Sequence, residues 1–367
     1  MQSNGDMLVS IITVCFNAAE TIETTIKSIV SQTYKNIEYI VVDGGSVDGT
    51  LQILEHYRKH ISVIVSERDE GIYDAMNKGI DLAQGDFIGI INADDWYEED
   101  AIEKVVRISR NISENTGVIS GQIRFIDGEQ SFLSKKKEME QIWMEMPISH
   151  PATFIRKSVY EKYGTYNTHY QIAADYELIF RLYINHVNFY FCNDILANFR
   201  VGGISSARKD ILLREDVEVL NQYKKYAPNQ IKVEDGIKRK DSIRLFYKAG
   251  RDILCEILGI TSKHQKILVF GCGYWGREMI KQMDRWSITV EAVVDNNSDL
   301  WGTKISEHIV SAPVILQKQL CPKIVIAIQG QTSAIEGQIL SLNQEASYIN
   351  LESLLKRIYD ICGGDRK

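Results

Sequence analysis

The sequence lacks an excess of basic residues. Its 42 Lys and Arg are outnumbered by 49 Asp and Glu, so the formal net charge is -7 at pH 7. The calculated pI is about 5.6. Broad affinity for nucleic acid needs clustered basic surface that displaces counterions from the phosphates. We therefore expect no nucleic-acid partner.

Paired cysteines and long apolar runs are also missing. The six cysteines are scattered without a CxxC pair, which indicates reduced thiols rather than a disulfide framework or a zinc site. No run reaches the roughly 18 to 20 apolar residues of a membrane-spanning helix, and the polar start MQSNGDM does not resemble a signal peptide. We predict a cytoplasmic protein, with peripheral contact at the inner face of the membrane left open.

Apolar runs alternate with amphipathic stretches over the first hundred of the 367 residues. The runs at 8–16, 37–42, 61–66 and 87–92 are typical of parallel strands buried on both faces. Helical spacing of apolar residues follows each of the first three. This alternation predicts an α/β fold with a right-handed, mostly parallel sheet flanked by helices.

Polar or acidic residues follow each predicted strand, at Asn17, Asp43, Asp69 and the Asp94–Asp95 pair. Ligands of such sheets bind at the carboxyl ends of the strands. Two adjacent carboxylates are costly unless a cation binds them, and Mg²⁺ or Mn²⁺ is commonly held by one or two carboxylates plus substrate phosphates. The pair therefore predicts a nucleotide-diphosphate site. Taken alone, it could instead cap a helix beginning at Trp96 to Ala101.

Four segments in order carry a family resemblance: VSIITVCFNAAETIETTIKSI, YIVVDGGSVDGT, ERDEGIYDAMNKGI and IINADDWY. They resemble the nucleotide-sugar-binding half of family 2 inverting glycosyltransferases with the GT-A fold, over roughly Met7 to Arg200. The resemblance implies transfer of a single sugar from a nucleotide-sugar donor to a saccharide or lipid-linked saccharide. It also implies inversion, assistance by Mn²⁺ or Mg²⁺, and a role in surface-polysaccharide or glycoconjugate synthesis.

The resemblance also implies roles for single residues. Thr13, Val14, Phe16 and Asn17 would lie at the base pocket, with Phe16 stacking on the base. Asp43 would accept from an imide N–H, which favours a UDP or dTDP donor. Asp69 and Lys78 would reach the base or the diphosphate, Asp94 would face the ribose, and Asp95 would hold the metal. Asn92 would be a further donor-binding residue.

Two further segments belong to this half of the chain. PISHPATFIRKSV resembles the segment beneath the donor sugar, and His150 is its most suggestive residue, although a lone His is usually structural. Asp175 occupies the position of the family's catalytic base, with Glu177 as the fallback; an N-terminal helix cap is the alternative for Asp175. Lys135, Lys136 and Lys137 indicate a solvated loop more than a ligand clamp.

The remaining chain predicts two more parts after the transferase domain at 7–204. Residues 205–263 are charged and helical in pattern, with a basic amphipathic stretch at 243–258. This stretch could lie on an anionic membrane, or pack on its neighbours or on a second subunit. Residues 264–367 predict a small Rossmann-like α/β domain.

The Rossmann-like prediction depends on Gly271, Gly273 and Gly276 after a strand, with Asp295 lying 19 residues (295 minus 276) beyond the last glycine. Three interpretations stay open: a degenerate scaffold or oligomerisation unit, a nucleotide or nucleotide-sugar binder, and an NAD(P)-dependent reductase. The third is disfavoured because no catalytic Tyr/Lys pair follows. For the whole chain, two alternatives to a simple transferase stay open. One is a non-catalytic sensor or scaffold that binds nucleotide sugars, and the other is a bifunctional transferase with an NAD-dependent second domain.

Overall fold

The computed structural model describes residues 7–128, 130–134, 138–203, 207–261, 265–319 and 322–363. The chain divides into two compact units between Gly236 and Ile237, inside the stretch expected to be a linker. The expected loop at Lys135–Lys137 lies outside the described residues, as does Cys321.

The first unit opens with four parallel strands separated by helices, as the apolar runs predict. The strands β1 to β4 pair in the order β3-β2-β1-β4. Every residue of β1 is buried, which explains its unbroken apolar run. The elements are β1 (Val9–Cys15), α1 (Ile22–Val30), β2 (Ile37–Asp43), α2 (Thr50–His56), β3 (Val63–Ser66), α3 (Ile72–Leu82) and β4 (Phe87–Asn92).

A mixed set of strands extends this sheet beyond β4, in the order β4-β8-β6-β9-β5 with β7 pairing β6. The β4·β8, β8·β6, β6·β7 and β9·β5 pairs are antiparallel, and the β6·β9 pair is parallel. Trp96 and Tyr97 form a short strand against β9, so the expected helix start at Trp96 is wrong: α4 begins at Ala101 after the N-cap Asp100. The elements are β5 (Trp96–Tyr97), α4 (Ala101–Asn111), β6 (Thr116–Asp127), β7 (Gln130–Leu133), β8 (Thr153–Arg156), α5 (Lys157–Tyr163), α6 (Ala174–Ile184), β9 (Asn188–Arg200) and α7 (Lys209–Tyr223).

A second, largely parallel sheet forms the core of the other unit, in the order β12-β13-β11-β10-β14-β15. From β13 to β15 this is the 3-2-1-4-5 order of doubly wound sheets. The elements are α8 (Val233–Lys248), α9 (Arg251–Leu258), β10 (Ile267–Phe270), α10 (Tyr274–Arg285), β11 (Val290–Val294), β12 (Lys304–Ile305), β13 (His308–Ser311), β14 (Lys323–Ile326), α11 (Ser333–Leu342), β15 (Ser347–Asn350) and α12 (Leu351–Gly363).

The basic amphipathic stretch at 243–258 is two helices rather than one, because α8 ends at Lys248 and α9 begins at Arg251. Most of its apolar side chains are buried, with Phe246 and Leu254 fully inaccessible. A buried stripe supports the packing interpretation over the membrane one, which needs an exposed apolar face. Within the described residues, none of the helices has the length and apolar content of a membrane span.

Candidate active site

Asp94 and Asp95, which follow β4, are placed very differently. Asp95 is 1% exposed; its Oδ1 accepts from the Arg200 backbone N–H at 3.0 Å, and its Oδ2 is buried without a hydrogen-bond partner. Burial, with the neighbouring Asp94 charge, raises the Asp95 pKa well above its usual range. Asp94 is only partly buried, and burial raises its pKa less strongly. The accessible carboxylate of the pair therefore belongs to Asp94.

Arg200, which the sequence motifs do not single out, lies beside this pair. Its Nε donates to the Asp94 carbonyl oxygen at 3.3 Å, and its guanidinium carbon lies 5.3 Å from the centre of the Trp96 ring. The positive charge of Arg200 acts to lower the pKa values of both acids. Its exposed head group adds a cation at the strand edge where a diphosphate is expected.

Phe16, Gly44 and Asp69 meet at the ends of β1, β2 and β3. Phe16 directly follows the buried strand β1 and is 63% exposed. A Cβ on Gly44 would overlap Asp69 Oδ2 and lie 3.4 Å from Phe16 Cδ2. An exposed ring and a carboxylate oxygen thus border one glycine, as a pocket for a flat polar ring requires.

Asp43 is fully inaccessible, and its carboxylate closes its own turn. It accepts from the backbone N–H groups of Gly45 and Ser46 at 3.1 and 3.0 Å, from the Ser46 hydroxyl, and from Ser66 Oγ at 2.7 Å. Burial acts to raise the Asp43 pKa, but these hydrogen bonds outweigh it and the pKa is lowered. The Asp43 carboxylate is therefore not accessible to the base that it was expected to bind.

The other residues expected around the donor are buried or make contacts with other side chains or backbone of the protein. Thr13 and Val14 are buried in β1, where Thr13 Oγ1 accepts from Tyr39 at 3.2 Å. Asn17 has φ of 49°, and its Oδ1 accepts from the Val47 N–H at 2.9 Å. Lys78 forms ion pairs with Glu67 at 2.8 Å and Asp74 at 3.2 Å. Of the expected base-pocket residues, Phe16 and Asn17 are the exposed ones.

Asp175 lies in a mostly apolar cleft whose lining includes Ile90, two residues before Asn92 on β4, and Leu178 and Ile179. Burial raises the Asp175 pKa to about 6, against the hydrogen bond from the Tyr176 N–H; the charge of Asp216 raises it further. Tyr176 N–H and Tyr73 O–H reach the same oxygen, Oδ1, at 2.8 and 3.4 Å. In the described part of the chain nothing donates to Oδ2.

His150 lines the same cleft and lies 3.1 Å from the Tyr166 hydroxyl through Nε2. Burial lowers the His150 pKa to about 4, so the ring is neutral at pH 7. The ring of Tyr166 in turn stacks on Tyr73 at a centroid distance of 5.3 Å. His150 therefore forms part of the lining of the cleft that contains Asp175.

Glu177, the fallback base, is 2% exposed and fully engaged. It forms an ion pair with Arg181 at 2.9 Å and accepts from the Tyr223 hydroxyl at 2.5 Å. Residues two apart on a helix point about 200° apart, since each residue turns 100°. Asp175 faces the cleft and Glu177 faces away from it, so the fallback assignment is wrong in this structure.

The glycine-rich loop of the second unit makes a tight turn between β10 and α10. Gly271 has φ of +107°, and a Cβ on Gly276 would overlap the Gly271 carbonyl oxygen. Nothing lies within 4 Å of a Cβ on Gly273. Asp295 accepts from the Cys272 N–H at 2.7 Å and from the Asn297 N–H at 2.8 Å. Its carboxylate therefore ties the loop to β11.

A divalent cation fits the end of β4 in part. Asp94 offers an accessible carboxylate, and the buried Oδ1 of Asn92 has no hydrogen-bond partner. No cluster of three or more His, Cys, Asp or Glu side chains among the described residues could hold a metal by itself. A cation here would need ligand phosphates to complete its shell, as Mg²⁺ commonly does.

Comparison with known proteins identifies the family of the chain and the fold. The family model described as glycosyl transferase family 2 matches residues 10–212, more than half of the chain. A PGL/p-HBAD biosynthesis glycosyltransferase of Mycobacterium bovis is 30% identical over 180 residues, covering 48% of this chain and 70% of that protein.

Two solved structures share the fold. S. aureus TarS 1-349 in complex with UDP-GlcNAc has a TM-score of 0.52 and 17% identity, covering 68% of this chain and 76% of that one. The mannosyltransferase PcManGT of Pyrobaculum calidifontis, in complex with GDP-Man and Mn²⁺, has a TM-score of 0.51 and 16% identity, covering 66% and 71%. The first unit thus has the GT-A fold, and the chain belongs to glycosyl transferase family 2 and is a glycosyltransferase.

Proposed function

We propose that this enzyme transfers one sugar from a nucleotide-diphosphate sugar to an acceptor hydroxyl with inversion. The observation that carries the proposal is the accessible carboxylate of Asp94 at the end of β4, the strand that also lines the Asp175 cleft. The proposed donor-binding acid, Asp94, follows β4, and the proposed base, Asp175, lies in a cleft lined by the same strand. The proposed acceptor is a saccharide or lipid-linked saccharide in a biosynthetic pathway for surface polysaccharide or glycoconjugate.

The proposed donor carries uracil or thymine. The exposed ring of Phe16 can stack on the base, and Asp69 Oδ2 beside Gly44 can accept from the imide N–H. We assign this contact to Asp69 rather than Asp43, because the Asp43 carboxylate is inaccessible and already accepts from its own turn. The two structures of the same fold bind UDP-GlcNAc and GDP-Man, which supports a nucleotide-sugar donor, and the choice of base depends on the proposed Asp69 contact.

For the diphosphate we propose Asp94 as the ligand of Mn²⁺ or Mg²⁺, with Asn92 beside it, in place of the Asp95 expected from sequence. Asp95 is inaccessible and instead holds the backbone of Arg200. The bound cation would neutralise the charge that develops on the leaving diphosphate. The guanidinium of Arg200 would add a second positive charge there. The Mn²⁺ complex of PcManGT, which shares the fold, supports a divalent metal.

Asp175 is the proposed base. Its Oδ1 is held by Tyr176 and Tyr73, which leaves Oδ2 free to take the proton of the acceptor hydroxyl. A pKa near 6 suits a general base, because the group is ionised at pH 7 yet remains basic. In an inverting displacement, this proton leaves as the hydroxyl attacks the sugar from the side opposite the diphosphate.

For the second unit we propose a scaffold role. The Asp295 carboxylate, which would bind a ribose in a dinucleotide site, accepts from Cys272 and Asn297 within the loop itself. The competing interpretation, NAD(P) binding at Gly271, Gly273 and Gly276, predicts a calorimetric signal with NAD(H) that a bulky residue at Gly273 abolishes. Oligomerisation through this unit stays a prediction.

A thermal-shift screen of nucleotide sugars, with and without Mn²⁺, tests the proposed function. A ligand that binds only the native state raises the unfolding midpoint by mass action. We expect a UDP- or dTDP-sugar to give the largest Mn²⁺-dependent shift and to release its nucleoside diphosphate slowly in water. Binding without any metal-dependent turnover, even with candidate acceptors, would favour the sensor alternative.

A further inference from the structure

The start of α6, which presents Asp175, is held by a residue from another helix. Ala173 occupies the N-cap position and has no side chain that could accept a hydrogen bond. Glu215 of α7 instead holds the backbone that leads into the helix: Oε1 accepts from the Gln171 N–H at 2.9 Å, and Oε2 accepts from the Ile172 and Ala173 N–H groups at 2.8 and 3.0 Å. Three consecutive backbone donors therefore share one carboxylate.

The charge of Glu215 matters to this arrangement. Hydrogen bonds to an ionised acceptor are about twice as strong as neutral ones, and a negative charge near a helix N-terminus is favourable. Glu215 is only 7% exposed, so solvent screens these bonds little. Ile172 is also held at its carbonyl oxygen by the hydroxyl of Tyr73, which reaches Asp175 as well. The segment before Asp175 is thus fixed from two sides.

Helix α7 continues to support α6 beyond this point. The Tyr223 ring stacks on Phe180 at 5.1 Å with an angle of 5° between the planes, and its hydroxyl donates to Glu177. Gln222 accepts from the Tyr170 hydroxyl at 3.0 Å. The family-model match ends at residue 212, near the start of this helix, so Glu215, Gln222 and Tyr223 lie beyond the matched residues.

We infer that Glu215 is a positioning residue for the reaction: its carboxylate fixes the start of α6 and so aims the Asp175 carboxylate at the acceptor. This inference rests on the proposed role of Asp175 as the base. Misplacement of a catalytic group by about 1 Å can cost on the order of 100-fold in rate. Glu215 therefore affects turnover without touching the donor.

The experiment compares Glu215→Gln and Glu215→Ala with the matched control Glu218→Gln. Glu218 is exposed on the same helix, and its carboxylate lies 3.9 Å from the His169 ring, so the control removes the same charge elsewhere. The assay is release of nucleoside diphosphate from the nucleotide sugar selected by thermal shift, over pH 5 to 9. Binding of that donor is measured by calorimetry.

We expect kcat to fall about 10- to 100-fold in Glu215→Ala and less in Glu215→Gln, with the donor Kd within twofold of wild type. We also expect the acid limb of the kcat profile to move to higher pH. The Tyr176 N–H and the Tyr73 hydroxyl lower the Asp175 pKa, and displacement of the start of α6 weakens both hydrogen bonds. A purely structural role would lower the active fraction without moving this limb. Should Glu215→Ala fail to fold, Glu215→Gln, which preserves the side-chain shape, carries the test.

Kinetics of Glu215→Gln that match Glu218→Gln in both kcat and pH profile would overturn the inference. Asp175→Asn separates that outcome from failure of the proposed function. If Asp175→Asn is inactive while the Glu215 variants behave like wild type, only the positioning role fails. If Asp175→Asn retains wild-type turnover, the assignment of the base fails and the positioning role fails with it.

Discussion

Replacement of Asp175 by Asn should remove activity and stabilise the protein. Burial raises the Asp175 pKa from 3.8 to about 6, so ionisation of this group is less favourable in the native state than in the unfolded chain. At 1.36 kcal/mol per pKa unit, this lowers the free energy of unfolding by about 3 kcal/mol above pH 6. Asn keeps an oxygen for the Tyr176 N–H and carries no charge, so the variant avoids this cost.

The sign of the pH dependence follows from the raised pKa. Above pH 6 Asp175 is ionised in both states and the full cost is present. As pH falls from about 6 to about 4, the native carboxylate gains its proton first and the cost disappears. The stability advantage of Asp175→Asn should therefore be largest at pH 8, about half as large near pH 5, and small near pH 4.

Urea unfolding of Asp175→Asn and wild type at pH 8, 5 and 4 measures this difference, with kcat determined in parallel. Asp81→Asn, an exposed change on α3, is the control and should leave stability within about 0.5 kcal/mol. Loss of a general base should reduce kcat by about 100- to 10,000-fold. An inactive variant that gains no stability at pH 8, or gains equally at every pH, would refute the buried-base reasoning.

Three further changes test other parts of the site. Phe16→Ala should weaken donor binding by about 1 to 3 kcal/mol in calorimetry, by loss of base stacking, with stability nearly unchanged because the ring is exposed; unchanged affinity would remove Phe16 from the base pocket. Tyr73→Phe should shift the acid limb of the kcat profile upward, since its hydroxyl lowers the Asp175 pKa; an unmoved limb would argue against that contact. Gly276→Val should destabilise the second unit, because a Cβ there overlaps the Gly271 carbonyl; unaltered urea unfolding would contradict the close loop packing.

The start of the first unit could be predicted because β1, most of β2 and β4 are buried and appear in the sequence as unbroken apolar runs. Phe16 is exposed and Asp175 lines a cleft, so the roles expected of them stay predictions that their positions allow. Trp96 and Tyr97 were harder, since their strand exists only through pairing with Asn198 and Ala197, about a hundred residues later. Local patterns carry no information on such a partner.

The acidic residues show a second limit of sequence reasoning. Asp94 and Asp95 are adjacent, and the sequence does not say which of them is buried. Asp95 is the buried one, and its carboxylate accepts a hydrogen bond from the backbone of Arg200, about a hundred residues later in the chain. Asp43 looked like a ligand-binding acid but is needed by its own turn. Glu215 gave no signal at all, because its role depends on how α7 packs against the start of α6.

The account depends most directly on Asp94 as the anchor of the donor diphosphate. Calorimetric titration of UDP into wild type and Asp94→Asn, each with and without Mn²⁺, measures this with the exposed Asp81→Asn as control. We predict that Mn²⁺ tightens UDP binding at least tenfold in wild type and in Asp81→Asn, and has no effect in Asp94→Asn. UDP binding that ignores both Mn²⁺ and the loss of the Asp94 charge would contradict the account.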